Sequence, residues 1–387
     1  MSKYGNDIGI ALLFIPMMCK WLLPPGIELL FYVCLFDIIP LFIPNLLIPL
    51  SVFFLERKPA GAHLSFLLIF DFCICIISLL VNGTEYWVST IFGECFYIYA
   101  FLLAVNYTFY EKKRIFLWAF IPLIILTIQV VVYGFGFATL KDPNANNQFA
   151  NVLRVYTTVG AATGSGCIVV MLGIISYYTT PYKKIGMASL LIALVASALL
   201  MSRMPFVCIS CFLLYVMIKD FKKDRKKTVV FALMLVLTYL IGVFDPIYQR
   251  VINKDDFTSQ RDVLIERVLT DFKGNELLGL GIGNVFATDE FSKNGIRPIY
   301  VGAPHNSYIL LLCEQGYLGT FIFMLFLALL LYECWLQDKQ NVFTIFLLLL
   351  TIYNSETVVL TNPEFVFLFA ILIMLCRSNR VIATKGK

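Results

Sequence analysis

The chain has 387 residues, of which 60% are hydrophobic and only 14% charged, with 35 Phe and 20 Tyr. Soluble domains do not carry this composition, and a net charge of +5 is too small to mark a nucleic-acid-binding surface. Eleven cysteines are present, most of them inside apolar runs, which argues against a disulfide framework and against a Cys/His zinc site.

Apolar runs recur along nearly the whole length. They predict an all-α polytopic membrane protein, a single integral membrane domain over 1–387 with about twelve transmembrane helices. In chain order the runs fall at roughly 8–23, 29–54, 64–81, 88–110, 115–136, 157–178, 184–201, 204–219, 228–244, 306–332, 341–354 and 361–376. The first lacks a small-residue cleavage site and reads as an anchor. The second carries Asp37, Pro40, Pro44 and Pro49, so a kink is expected there. Mid-span charges are few, chiefly Asp37, Asp71, Glu94 and Glu314.

Charge predicts the orientation. With twelve spans, one set of loops holds Arg57, Lys58, Lys112, Lys113, Arg114, Lys183, Lys184, a cluster from Lys219 to Lys227, Lys339 and the basic C-terminal end. The short loops on the other side hold only Lys20, Lys141, Arg154 and Arg203. The positive-inside rule then puts both termini in the cytoplasm. A polar segment over 245–304, between spans nine and ten, faces outward as one large loop.

That loop is too polar to span and too long for a turn. Loops of this size are usually functional. Within Thr258–Asp271, Val263, Leu264, Val268 and Leu269 recur at helical spacing, and Thr258 or Ser259 could cap the helix. An amphipathic helix lying along the membrane face is predicted, carrying Arg261 and Arg267. Gly274 follows, then Leu278-Gly-Leu-Gly281-Ile-Gly283-Asn284, whose glycines permit a tight turn and a close approach of backbone amides to an anion. Arg203 stands at the outer end of a span in Ser202-Arg203-Met-Pro205, and Arg154 precedes another. For both, snorkelling to lipid headgroups is the alternative to ligand binding; for Arg261 and Arg267 it is pairing with Asp262 or Glu266.

His305 is one of two histidines in the chain and stands where the loop meets the next apolar span, beside Asn306 and ahead of Glu314. An imidazole at a membrane surface can move protons near neutral pH, and a carboxylate within a span usually has a reason. His63, next to no such grouping, reads as a solvated turn residue.

Together the Ser202-Arg203 pair, Arg261, the Leu278–Gly283 turn, His305-Asn306-Ser307-Tyr308, Glu314 and Gly316 resemble, in identity and order, the O-antigen polymerase and O-antigen ligase superfamily of bacterial envelope enzymes. The resemblance covers roughly 200–335; the first 150 residues match only in hydropathy. One departure stands after Arg261, where Val263, Leu264 and Ile265 replace an aromatic often seen in the family, leaving open whether Arg261 or Arg267 takes the family role. The resemblance implies a GT-C-like membrane glycosyltransferase of the bacterial inner (plasma) membrane. It would need no cofactor, metal or nucleotide sugar. Its donor would be an oligosaccharide on undecaprenyl pyrophosphate, its other partners membrane lipid and a chain-length regulator, and no nucleic acid. On this reading Arg203 and Arg261 stabilise the pyrophosphate leaving group, because guanidinium binds phosphate in a bidentate fashion and keeps its charge. His305 is the general base, and Arg267, Arg154, Gly281, Gly283, Asn306 and Glu314 line the substrate. A polymerase is the preferred activity. The alternatives are an O-antigen ligase and, from another class, a lipid-linked oligosaccharide transporter.

Overall fold

The computed structural model describes residues 3–22, 32–35, 39–42, 47–57, 62–82, 87–109, 111–134, 162–200, 202–221, a few positions between 229 and 242, and then 261–282, 284–285, 306–337 and 363–378. The spans expected at 228–244 and 341–354 therefore fall largely or wholly outside the described residues, as do Arg154, Gly283 and His305.

The long elements are helices: α1 (Lys3–Leu22), α3 (Ala62–Asn82), α4 (Trp87–Asn106), α5 (Ile115–Gly134), α6 (Ala162–Thr179), α7 (Lys183–Leu199), α8 (Arg203–Phe221), α9 (Arg261–Phe272), α10 (Ser307–Gln337) and α11 (Pro363–Ser378). In a lipid setting this is the form in which a segment satisfies its own backbone. Among the described residues, Ala62–Asn82, Lys112–Val132 and Ser307–Leu336 are long and apolar enough to cross a membrane. Gly5–Cys19, Glu94–Asn106, Gly164–Thr179, Arg203–Ile218 and Phe365–Arg377 are shorter apolar helices.

The helix expected over 29–54 is corrected. That stretch holds strands β1 (Tyr32–Leu35) and β2 (Ile39–Phe42), which pair with each other, then a one-turn helix α2 (Leu47–Leu50) and a 3₁₀ turn at Ser51–Phe53. Pro40, Pro44 and Pro49 explain it: each removes an amide donor and its ring clashes with the preceding helical turn, so three within ten residues stop a helix rather than kink it. A second small pairing joins β3 (Glu56–Arg57) antiparallel to β4 (Tyr107–Thr108).

The chain divides into two compact units, each built from several chain segments. The first (residues 1–32, 42–55 and 110–255) contains α1, α2 and α5–α8. Here α6 and α7 approach through small residues: a Cβ on Gly173 would stand 2.6 Å from that of Ala193. This is the usual contact between apolar helices that have no hydrophobic drive to associate in lipid. Tyr177 and Tyr178 of α6 set their rings 6.0 and 6.3 Å from Phe212 of α8. Arg114, just before α5, pairs with Asp7 of α1 and donates to Glu111 at 2.8 Å.

The second unit (residues 33–41, 56–109 and 256–387) contains α3, α4 and α9–α11. Its core is aromatic. Phe101 of α4 meets Phe326 of α10 edge-on at 5.4 Å and Phe369 of α11 at 5.8 Å, an arrangement that adds to simple area burial. At one end Glu333 of α10 bridges His63 of α3, at 3.1 Å, and the buried Arg377 of α11, at 3.8 Å. Arg377 also donates to the Val105 carbonyl of α4. His63 is thus a helix residue with a carboxylate partner rather than a residue of a solvated turn.

Candidate active site

In the first unit, Arg203 is the first residue of α8. Pro205 follows two positions later, where a missing amide costs little because first-turn amides have no helical acceptor. The neighbouring α6 fixes this turn closely: a Cβ on Gly166 would lie 2.9 Å from Pro205 Cγ and 3.3 Å from Ser202 Cβ. Ser202 and Pro205 are buried, while Arg203 stays half-exposed. A guanidinium at a helix N-terminus, where the helix dipole is positive, suits an anionic ligand.

In the second unit, α9 begins at Arg261, within three residues of the capping positions expected from sequence. Its apolar face buries Val268 and Phe272 against Leu310 and Cys313 of α10, together with Val285. The Phe272 ring stands 5.6 Å from that of Tyr317, nearly perpendicular. Arg267 lies on the same helix, half-buried.

The glycine turn and α10 are built as one piece. Helix α10 breaks at Gly316, which has φ 69° and ψ −172°. A break inside a helix strands carbonyls before it and amides after it. The turn takes up both sets. The amides of Leu280 and Gly281 donate to the carbonyls of Cys313 (2.7 Å) and Glu314 (3.1 Å), while those of Tyr317 and Leu318 donate to Glu276 (2.8 Å) and Leu277 (3.3 Å). The approach is so close that a Cβ on Gly316 would collide with the Leu277 carbonyl and lie 2.5 Å from the Gly279 amide. Gly279 and Gly281 also have positive φ, at 75° and 90°. Irregular backbone at membrane depth is tolerated where it is buried in protein and its polar groups are matched.

This bears on one expectation for the described part of the turn, which leaves out Gly283. The amides of Gly279, Leu280, Gly281 and Asn284 donate to Asn275, Cys313, Glu314 and Gly281 carbonyls of the protein itself. They form a joint rather than a cradle for an anion, and the glycines serve close backbone approach.

Asn306 caps α10. Its side-chain oxygen accepts from the amides of Tyr308 (3.0 Å) and Ile309 (3.2 Å), two donors that a helix leaves unmatched. That fixes the chain directly after His305. Glu314 is buried, and its backbone carbonyl is part of the joint. Arg261 (by its backbone), Arg267, Gly281, Asn306 and Glu314 therefore belong to one unit, and Arg203 to the other.

Sequence reasoning missed two residues of α3. Ser78 Oγ lies 2.6 Å from the Leu278 carbonyl and 3.2 Å from that of Glu314. Asn82 donates through Nδ2 to the Gly279 carbonyl at 3.1 Å and to the Ser78 carbonyl at 2.9 Å. The available signal was a polar pair at helical spacing near the end of an apolar span. Less than one turn from Ser78 along α3, Gln315 Nε2 reaches Cys75 Sγ at 2.9 Å, a further tie between α3 and α10.

Residues 188–324 match the family model described as O-antigen ligase. The matched stretch includes Arg203, Arg261, Arg267, the glycine turn, His305, Asn306, Glu314 and Gly316, and leaves Arg154 and all of α3 outside it. No curated protein matches the chain.

Proposed function

We propose, for a chain that residues 188–324 place in the O-antigen polymerase and ligase superfamily, that it is a surface-polysaccharide polymerase of the bacterial inner (plasma) membrane. It transfers glycan from an undecaprenyl-pyrophosphate-linked donor to a sugar hydroxyl of a lipid-linked repeat unit. The observation that carries the reading is the content of the matched stretch: Arg203, Arg261 and Arg267, then the turn that joins α10, and His305 two residues before α10 in sequence. The acceptor oxygen attacks the anomeric carbon, and the bond from that carbon to the phosphate oxygen breaks. The bonding electron pair leaves on the pyrophosphate, and the acceptor proton passes to His305. Attack in this manner inverts the anomeric centre.

Each residue type suits its part. Negative charge grows on the departing pyrophosphate, and preorganised guanidinium groups stabilise developing charge best where water is scarce. Arg203 and Arg261 fill that role, with Arg267 and Arg154 supporting. Imidazole titrates near neutrality and serves as base. Asn306 orients the chain beside His305, and Glu314 supports α10. The active site faces the exterior, with both termini cytoplasmic, as the loop charges indicate.

A ligase is the second reading, favoured by the description of the matched family, which is a ligase. The preference for polymerase over ligase rests on residues 1–187, which lie outside that match, since polymerases vary more in sequence. Deleting the gene separates the two. Loss of the polysaccharide ladder with a single repeat unit left on the core supports the polymerase. Long chains accumulating on the polyprenyl carrier above bare core support the ligase.

A further inference from the structure

Helix α3 lies outside the family-matched stretch, yet its last two turns carry the side chains that hold the joint. Ser78 and Asn82 stand one turn apart on one face of α3. Between them they contact three carbonyls: Leu278 and Gly279 of the turn, and Glu314 just before the break in α10. A Cβ on Gly281 would stand 3.0 Å from Asn82 Cβ, so no larger residue fits between turn and helix without displacement. Asn82 is itself braced, since the same Nδ2 group reaches the Ser78 carbonyl at 2.9 Å.

The consequence reaches beyond the turn. The segment from Gly274 to Asn284 leaves directly from α9, whose apolar face is packed on α10 through Phe272, Val268, Leu310 and Cys313. The backbone exchange across Gly316 sets the height of the turn along α10. The α3 contacts set how closely the turn seats, and so where α9 and its arginines stand relative to the capped start of α10 beside His305. We propose that Ser78 and Asn82 are positioning residues for the transfer reaction, holding the arginine-bearing segment and the α10 entrance in one reactive geometry. This rests on the reading of the chain as a glycan transferase given above. Neither side chain touches the reacting atoms. They act through the backbone they hold, and misplacing a reacting group by about 1 Å costs on the order of 100-fold in rate.

The test uses the full-length protein, purified in detergent, with lipid-linked repeat units as substrate. Ser78→Ala and Asn82→Ala are compared with Ser78→Thr, which keeps the hydroxyl. The expected result is a fall in kcat of about 10- to 100-fold for the two alanine variants. The KM for donor should change by less than about twofold, since the contact that is lost matters mainly in the transition state. The threonine variant should recover most of the rate. Hydrogen exchange at Leu280 and Gly281 should quicken in both alanine variants while the thermal midpoint stays near that of the wild type.

Alanine variants with unaltered kcat overturn the proposal. So does a fall in kcat that scales only with the fraction of protein still folded and that threonine does not rescue. A wild-type protein that binds but never turns over the lipid-linked substrate overturns the transferase reading itself, and this inference with it. Active wild type with indifferent variants overturns this inference alone.

Discussion

The two ends of the second unit are held together by opposite means. At one end charged side chains do it: Glu333 bridges His63 and Arg377, and Arg377 reaches the Val105 carbonyl. At the other end the backbone does it. A helix broken at Gly316 exchanges hydrogen bonds in both directions with the turn over 276–281, joined by the neutral side chains of Ser78, Asn82 and Asn284. The difference bears on function. An ion-pair network closes an end, because a buried charge must be matched within the protein. The hydrogen bonds that make the joint run between neutral groups, although Glu276 and Glu314 lie within it. On the proposed function, that suits a joint seated beside arginines meant for a pyrophosphate.

Substitutions can break this comparison, and the largest effect is expected at Gly316. Its dihedral angles lie in a region that is essentially restricted to glycine and costs other residues roughly 1–3 kcal/mol. Contact with fixed backbone adds to that cost. Gly316→Ala is predicted to destabilise the protein by more than about 3 kcal/mol, read as a sharply lowered thermal midpoint or loss of folded protein in detergent. A variant of wild-type stability would show that the joint is not rigid.

Next comes the charged end. Glu333→Ala leaves the buried Arg377 without its carboxylate and is expected to cost about 3 kcal/mol, by the same readout. Glycan transfer per folded molecule should be unchanged, since this end lies away from the joint along both α3 and α10. Lost activity in fully folded protein would erase the distinction between the ends.

The smallest effect concerns Glu276, exposed at the edge of the joint. Its carboxyl is held below its ordinary value, first by the Gly274 amide and then by its own. A lowered folded-state value means that its contribution is present above about pH 4.5, the ordinary value, and fades as pH falls through the lowered one. Glu276→Gln should therefore lower the thermal midpoint slightly at pH 7 and leave it unchanged in strong acid.

Most helices were legible because an apolar run has few other ways to satisfy its backbone in lipid. The expected spans at 64–81, 115–136 and 204–219 correspond to Ala62–Asn82, Ile115–Gly134 and Arg203–Phe221. The 29–54 stretch was misread because hydropathy outweighed three prolines whose local effect decides the backbone. In the candidate site, Arg261 was legible as a helix start and Asn306 as a residue that orders the chain, while Arg203, expected to close the preceding span, instead opens α8. The glycine turn was recognised, but not its partner within the protein: the amides of Leu280 and Gly281 meet carbonyls on α10, more than thirty residues further along. Ser78 and Asn82 were missed for the same reason: their acceptors are about 200 residues away in sequence, and local pattern holds no trace of that pairing.

The most direct measurement of the central claim is single-turnover transfer from a purified lipid-linked donor by wild-type protein, His305→Ala and Arg203→Lys. A positioned base is typically worth roughly 10²–10⁴ in rate. His305→Ala is predicted to lose that much while still binding donor. Arg203→Lys should also slow transfer, because lysine keeps the charge but not the bidentate grip on phosphate. A His305→Ala protein that inserts normally and transfers glycan at the wild-type rate would contradict the account.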